Sequence, residues 1–237
     1  MTGTALVMAK APRPGTVKTR LHPLLGPHGC ARLQAALIRQ VTGLTGRLGL
    51  TTYVAVDPPD TDLRDFLPND VSFLQQVPGD LGARMAAAVT DVFAMKDAGK
   101  AGEGPLVVLG TDAPTLTLGL LRQAYDVLDG GADVVLGPAV DGGYYLIGMR
   151  ELRTGLFALP PELWSGPQVL TRTLALAKQA RLAVRLLPEL RDLDTPADAD
   201  ALLDDPLLPA AIGAVLRGAA PVPADSARPA AMPKAGR

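Results

Sequence analysis

Short apolar runs alternate with longer segments of helical period along almost the whole chain, and this alternation restricts the fold more than any other feature. Leu6–Met8, Thr51–Val56, Val71–Val77, Pro105–Gly110, Asp133–Leu136, Tyr144–Met149 and Leu182–Leu187 have the length and the Val, Leu and Ile content of strands. Between them, Ala31–Leu48 repeats Leu33, Leu37, Val41 and Leu44 on one helical face. Leu81–Met95, Leu118–Leu128, Val169–Ala180 and Ala197–Leu203 also read as helices. Gly130-Gly131 closes the helix before it, and Pro196 precedes the last one. Strand–helix alternation predicts a mostly parallel sheet covered on both faces. One domain is expected over residues 1–217. Residues 218–237 are Ala- and Pro-rich without an apolar period, so a disordered tail is expected there.

Charge is distributed unevenly on this frame. Seven Lys and Arg residues and no acid precede Asp57, although the whole chain has a formal net charge of −1. The centre of the bias is Lys10-Ala-Pro-Arg-Pro-Gly-Thr-Val-Lys-Thr-Arg-Leu21, directly after the first strand. Lys10, Arg13, Lys18 and Arg20 on a loop broken by Pro12, Pro14 and Gly15 suit phosphate binding at a strand's carboxyl end. A general nucleic-acid binder would spread such charge over a whole face, which a net charge of −1 argues against. One cysteine, Cys30, excludes an internal disulfide and reads as a small buried residue. No stretch approaches the ~20 apolar residues of a membrane span, and no signal-type leader is seen, so a cytoplasmic protein is expected. With two histidines, His22 and His28, and that single cysteine, a tetrahedral zinc site is not expected. A hard cation held by carboxylates, Mg²⁺ or Mn²⁺, is the metal this composition suits.

Two acidic clusters share the rim with the basic loop. Thr111-Asp112-Ala113-Pro114 follows the central strand, and Asp192-Leu193-Asp194-Thr195-Pro196 follows the last one. In an open α/β sheet ligands sit beyond the strands' carboxyl ends, so these segments form a receptacle for a metal-bound polyphosphate. Asp112 and Asp194 are the candidate metal ligands, and Lys18 and Arg20 the cations. Plainer roles exist for each: a helix cap for Asp112, a turn or cap for Asp192 and Asp194, a hairpin turn for Asp141-Gly142-Gly143. Trp164 suits core packing first and stacking on an acceptor second.

Together, Lys10 to Leu21, Gly110-Thr-Asp-Ala-Pro114, Asp141-Gly-Gly-Tyr-Tyr145 and Asp192-Leu-Asp-Thr-Pro196 resemble the DUF2064 family. That family lies in the GT-A-like nucleotide-diphospho-sugar transferase superfamily, and some members are labelled arsenosugar-biosynthesis glycosyltransferases. The resemblance covers residues 4 to 204. It implies a single-domain GT-A (Rossmann-like) three-layer α/β sandwich. It also implies phosphate contacts from Lys10, Arg13, Gly15 and Lys18-Thr19-Arg20, and metal ligation by Asp112 and Asp194. Gln76 and Gly82, in a segment similar to the nucleobase loop of molybdenum-cofactor and phospholactate guanylyltransferases, become candidate base contacts. The loop has Lys10-Ala-Pro-Arg-Pro-Gly15 where the common nucleotidyltransferase loop has paired glycines.

Three functions are compatible with these residues. The first is nucleotidyl transfer from a nucleoside triphosphate to a small phosphorylated or carboxylate acceptor, which is already ionised and needs no base. The second is glycosyl transfer from a nucleotide-diphosphate sugar to a hydroxyl, with Asp141 as the candidate general base. The third is a nucleotide-binding protein without turnover, for which the two metal acids have no use. Nucleotidyl transfer is ranked first. The expected partners are a nucleotide or nucleotide-sugar donor and a small-molecule acceptor, with neither nucleic acid nor membrane.

Overall fold

The computed structural model describes residues 2–58, 63, 67, 70–99 and 102–218. The tail expected at 218–237 falls, apart from Gly218, outside them. Seven strands form one sheet: β1 (Thr4–Lys10), β2 (Thr51–Asp57), β3 (Val71–Gln75), β4 (Leu106–Leu109), β5 (Val134–Pro138), β6 (Tyr144–Met149) and β7 (Val184–Leu186). Their order is β3-β2-β1-β4-β6-β5-β7. β6 runs antiparallel to both β4 and β5, and the other pairings are parallel. The carboxyl ends of β1, β4, β5 and β7, and the start of β6, therefore share one edge.

The strands are nearly continuous apolar runs because helices cover both faces. Ala5, Val7 and Ala9 of β1 pack with α1 (His22–Arg47) through Ile38, Val41 and Leu44, and with α3 (Leu118–Asp129) through Leu121, Ala124 and Tyr125. Leu6 points the other way, towards Met85, Val89 and Val92 of α2 (Leu81–Asp97) and Ala177 of α4 (Val169–Gln179). Asp80 caps α2 by accepting from the Ala83 amide at 2.9 Å, and Thr117 caps α3 by accepting from Leu120 at 3.1 Å. The result is the three-layer, Rossmann-like GT-A sandwich that the family resemblance implies. Among the described residues no helix is long and apolar enough to cross a membrane.

Three features differ from expectation. Helix α1 begins at His22 instead of Ala31, interrupted by non-helical Gly26 at φ 64°, ψ 172°. His22-Pro23 and Gly26-Pro27 look like breakers, but proline is tolerated in a first helical turn, and each starts a helical segment. Two 3-10 segments, Thr154–Phe157 and Pro161–Ser165, shape what reads as loop. After α5 (Pro196–Leu203) a further short helix, α6 (Ala210–Leu216), completes the fold. Its Ile212, Val215 and Leu216 join Leu202, Leu33, Leu37, Cys30, Leu21 and Leu193 in a small separate core.

Candidate functional site

A cavity of about 590 Å³ opens at the shared edge of the sheet. Local structure brings its charged groups together. After β1 the loop reaches Lys18, a non-glycine residue in the left-handed region at φ 48°, ψ 41°. Such a conformation is strained, and it is held here because the Lys18 carbonyl accepts from the Leu21 amide at 2.8 Å and the Cys30 thiol at 3.3 Å. On the other side, Thr195 and Asp198 form a capping box that opens α5, with Pro196 in its first turn. Asp194 directly precedes that box. The Leu193 amide donates to the Asp112 carbonyl at 2.8 Å, tying the two acidic segments together.

The Lys18 ammonium lies where these segments meet. Nζ donates to Asp112 Oδ1 at 2.6 Å, to Asp194 Oδ1 at 3.1 Å and to the Leu193 carbonyl at 2.8 Å. All three of its donors thus have acceptors. The Lys18 side chain is 4% exposed, while Asp112 and Asp194 are 50% and 48% exposed towards the cavity. Burial alone would lower the Lys18 pKa, but the two facing carboxylates outweigh it and hold the ammonium above the ordinary lysine range. For Asp112, burial pushes upward, and the Lys18 charge and hydrogen bond, helped by the Thr111 hydroxyl, bring the net shift below the usual carboxylate range.

The remaining expected residues separate into two groups. Lys10, Arg20, Gln76 and Asp141 line the cavity; Arg13, Gly15, Thr19 and Gly82 do not. Arg20 is 74% exposed, with Nη1 3.9 Å from Asp194 Oδ2. Gln76 is buried, and its Nε2 donates to the backbone carbonyls of Ala9 at 3.2 Å and Ala55 at 2.8 Å. Its amide protons bind β1 and β2 together, so only its carbonyl oxygen is left for a base. Gly82 lies beneath Phe157 and Trp164: an added Cβ would sit 2.5 Å from the Phe157 carbonyl and from the indole nitrogen. Its smallness serves packing. Gly82→Ala should lower stability by about 1–3 kcal/mol, the usual cost of overpacking, measurable by chemical denaturation; an unchanged midpoint would refute the packing role.

The Asp141 turn is a hairpin turn and also part of the cavity wall. Asp141 Oδ1 accepts from the Gly143 amide at 2.8 Å. Gly142 has φ 90°, and a Cβ there would overlap the Pro167 carbonyl, so the position requires glycine.

Asp57 and Arg84, not singled out as ligands from sequence, also line the cavity. Asp57, the chain's first acid, ends β2 and pairs with Arg84 at 2.6 Å. Trp164 and Tyr144 form aromatic wall, and Asp192 lines the cavity beside them. Burial, then repulsion from Asp141, Asp112 and Asp194, pushes the Asp192 carboxyl up to about 7, with Lys18 opposing. Above about pH 4 an unfolded aspartate ionises while the folded one keeps its proton. The unfolded state then binds fewer protons, and this group's contribution to stability falls as pH rises towards 7. In chelating buffer, Asp192→Asn should therefore melt higher than the unsubstituted chain at pH 7 and converge with it near about pH 4. Identical melting curves at both pH values would rule this out.

Residues 40–161 match the family described as "Uncharacterized protein conserved in bacteria (DUF2064)". A candidate nucleotide-diphospho-sugar transferase from Desulfovibrio desulfuricans G20 superposes with a TM-score of 0.80 at 30% identity, over 91% of this chain and 94% of that one. Rv0371c from Mycobacterium tuberculosis H37Rv, in complex with manganese, aligns with a TM-score of 0.51 at 20% identity, over 86% of this chain and 100% of that one. A cytidylyltransferase from Leptospira borgpetersenii serovar Hardjo-bovis aligns with a TM-score of 0.50 at 14% identity, over 85% of each chain. The last two likenesses are of fold. No curated protein matches the chain.

Proposed function

The chain belongs to the DUF2064 family, and from that premise we propose that it is a divalent-metal-dependent transferase acting on a nucleotide donor, its reaction nucleotidyl transfer from a nucleoside triphosphate. The observation that carries this reading is the convergence of Asp112 and Asp194 on one cation beside the basic loop. Two carboxylate oxygens already bridge a single positive centre, and hard anionic oxygens are the donor set that Mg²⁺ or Mn²⁺ takes. Among the described residues no three His, Cys, Asp or Glu side chains form a ready-made cage. That suits a metal which completes its shell with substrate phosphates and water. The manganese in the mycobacterial neighbour supports a divalent ion.

The metal, when bound, supplies neutralisation of the phosphate charge that develops in the transition state. The protein's own groups do the rest. Asp112 and Asp194 would hold the cation. Lys10 and Arg20, at the cavity's mouth, meet the outer phosphates. Lys18, from the same loop, is the third cation assigned to those phosphates. Gln34, buried under the loop, donates to the Lys10 carbonyl and to Thr111 Oγ1, each at 3.3 Å, and so fixes the two phosphate-side segments to each other. The test is the melting temperature with Mg²⁺ or Mn²⁺ and each triphosphate or nucleotide sugar. A ligand at 100 times its dissociation constant stabilises by about 2.7 kcal/mol, or roughly 5–10 °C for a domain of this size. If no nucleotide shifts the transition, the reading fails.

Glycosyl transfer is the second reading, favoured by the 30%-identical candidate nucleotide-diphospho-sugar transferase and by Asp141 on the cavity wall. Arg20→Ala distinguishes the two. A triphosphate has a terminal charge that a nucleotide-diphosphate sugar lacks, and a charge-assisted hydrogen bond contributes about 1.5–3 kcal/mol. Triphosphate affinity should fall by on the order of 10–100-fold, with a smaller loss for the diphosphate sugar. Equal losses in a calorimetric titration would assign Arg20 to the shared diphosphate.

A further inference from the structure

We propose that the β2–α2 side of the cavity reads the nucleobase through two hydrogen-bond acceptors, Gln76 and Asp57, and that the base they select is guanine. The inference rests on the donor reading above and names the base which that reading leaves open. Gln76 is 8% exposed and lines the cavity. Its Nε2 donates to the Ala9 and Ala55 carbonyls, so turning the amide over would set its oxygen against two carbonyl oxygens. The orientation is therefore fixed. Oε1 accepts no hydrogen bond among the described residues and is not one of their enclosed unpartnered atoms, so it opens on the cavity.

Asp57 supplies the second acceptor. Residues 55 and 57 share one face of β2, about 6.6 Å apart along the strand, and Ala55 packs with Met85 and Val89 of α2 on that face. Asp57 Oδ2 accepts from Arg84 Nη1 at 2.6 Å, and Arg84 Nε donates to the Gly79 carbonyl at 2.8 Å. This clamp pins the carboxylate and neutralises the one cation on this side, so phosphates are left to Lys10, Lys18 and Arg20. The Asp57 side chain remains 30% exposed, and its Oδ1 has no partner among the described residues.

Two acceptors side by side call for two adjacent donors. Guanine offers N1–H and its 2-amino group on one edge. Adenine and cytosine place a ring-nitrogen lone pair beside their amino group, and uracil places its single N–H between two carbonyl oxygens. Each of these sets a lone pair against Gln76 or Asp57 and leaves an acceptor unsatisfied. Leu81 and Met85, one helical turn apart on α2, line the same part of the cavity and give an apolar surface for the flat face of the base. The location also suits a nucleoside. Asp57 is level with Lys10 in the β1–β2 register, and the strand order continues from β1 to β4. Asp57 thus lies two strand spacings, about 10 Å, from the strand that leads to Asp112. A ribose fits between a base at the first position and phosphates at the second.

The test is calorimetric titration of the full chain, saturated with Mg²⁺, with GTP, ITP, ATP, CTP and UTP. GTP should bind at least about 100-fold more tightly than ATP, CTP or UTP. ITP keeps N1–H but lacks the 2-amino group, and should bind about ten-fold or more weakly than GTP. Asp57→Asn tests the reader itself. An amide can donate to the adenine ring nitrogen, so the GTP-to-ATP ratio should narrow by about ten-fold or more, whereas a merely structural role would lower both affinities alike. Tightest binding of another base, equal binding of GTP and ITP, or an unchanged GTP-to-ATP ratio in the variant would each overturn the guanine assignment and leave the donor reading standing. The five nucleotides on the unsubstituted chain decide the base even if the variant does not fold. Binding of none of them would overturn the triphosphate reading, and the guanine assignment with it.

Discussion

Asp112→Asn yields a folded protein whose metal-dependent turnover has fallen by about 10²–10³-fold, the usual loss when one electrostatic stabiliser is removed. The substitution keeps the size of the side chain, and its Oδ1 can still accept from Lys18 and Thr111, which hold Asp112 in place at 2.6 and 3.3 Å. What is lost is the anionic charge that a hard divalent cation needs. Steady-state rates over a Mg²⁺ titration, beside a thermal melt, separate the two effects. Full Mg²⁺-dependent activity in this variant would remove Asp112 from the metal site. Asp194→Asn should lose less, because it stands 3.1 Å from the ammonium and an amide oxygen at that more distant position can still coordinate.

Lys18→Met turns the unliganded protein into one that responds to metal alone. With the ammonium gone, Asp112 and Asp194 lose the buried cation between them, and the Leu193 carbonyl loses a donor. Breaking a buried ion pair costs about 3–5 kcal/mol, and the two acids here are half exposed, so about 2–3 kcal/mol is expected in chelator. Mg²⁺ then binds where the ammonium was. At 100 times its dissociation constant it restores about 2.7 kcal/mol, roughly 5–10 °C in melting temperature. The unsubstituted chain, in which Lys18 competes for the same oxygens, should shift far less under the same titration. Equal shifts in both proteins would show that the ammonium and the metal do not share a position. Turnover in Lys18→Met stays low at any Mg²⁺ concentration, since the phosphates lose that charge.

The architecture was legible because its strands are buried on both faces. A run such as Leu106–Leu109 has no alternative burial, and Tyr144–Met149 was bounded by its own turn. Asp112 and Asp194 were legible for a related reason: strand ends in such a sheet converge on one edge, whatever their distance in sequence. Less could be read where side chains choose partners in space. Sequence position made Lys18 a phosphate ligand, but nothing local indicated that both acids would close on it. Gln76 looked like a base contact because its segment resembles a nucleobase loop; burial between β1 and β2 committed its donors to the backbone. Gly82 looked like a base contact on the same resemblance, and only the position of Trp164, contributed by a distant 3-10 segment, reveals it as a packing contact. Helix α6 was missed because Ala210–Leu216 is too short and too uniformly apolar to show a period.

The small core beneath α5 and α6 has a mechanical consequence. Leu21, one residue after Arg20, and Leu193, one residue before Asp194, are both fully buried in it. Cys30, in the same core, also holds the Lys18 carbonyl. The basic loop and the Asp194 segment are thus two lips of a single jaw, fastened at its hinge by α6. The Asp141 and Trp164 wall is anchored elsewhere, Trp164 in the core under α2 and α4. Damage to α6, far from any phosphate, would loosen both lips together, so losses of metal affinity and of phosphate affinity should rise in step along any series of substitutions at Ile212, Val215 or Leu216.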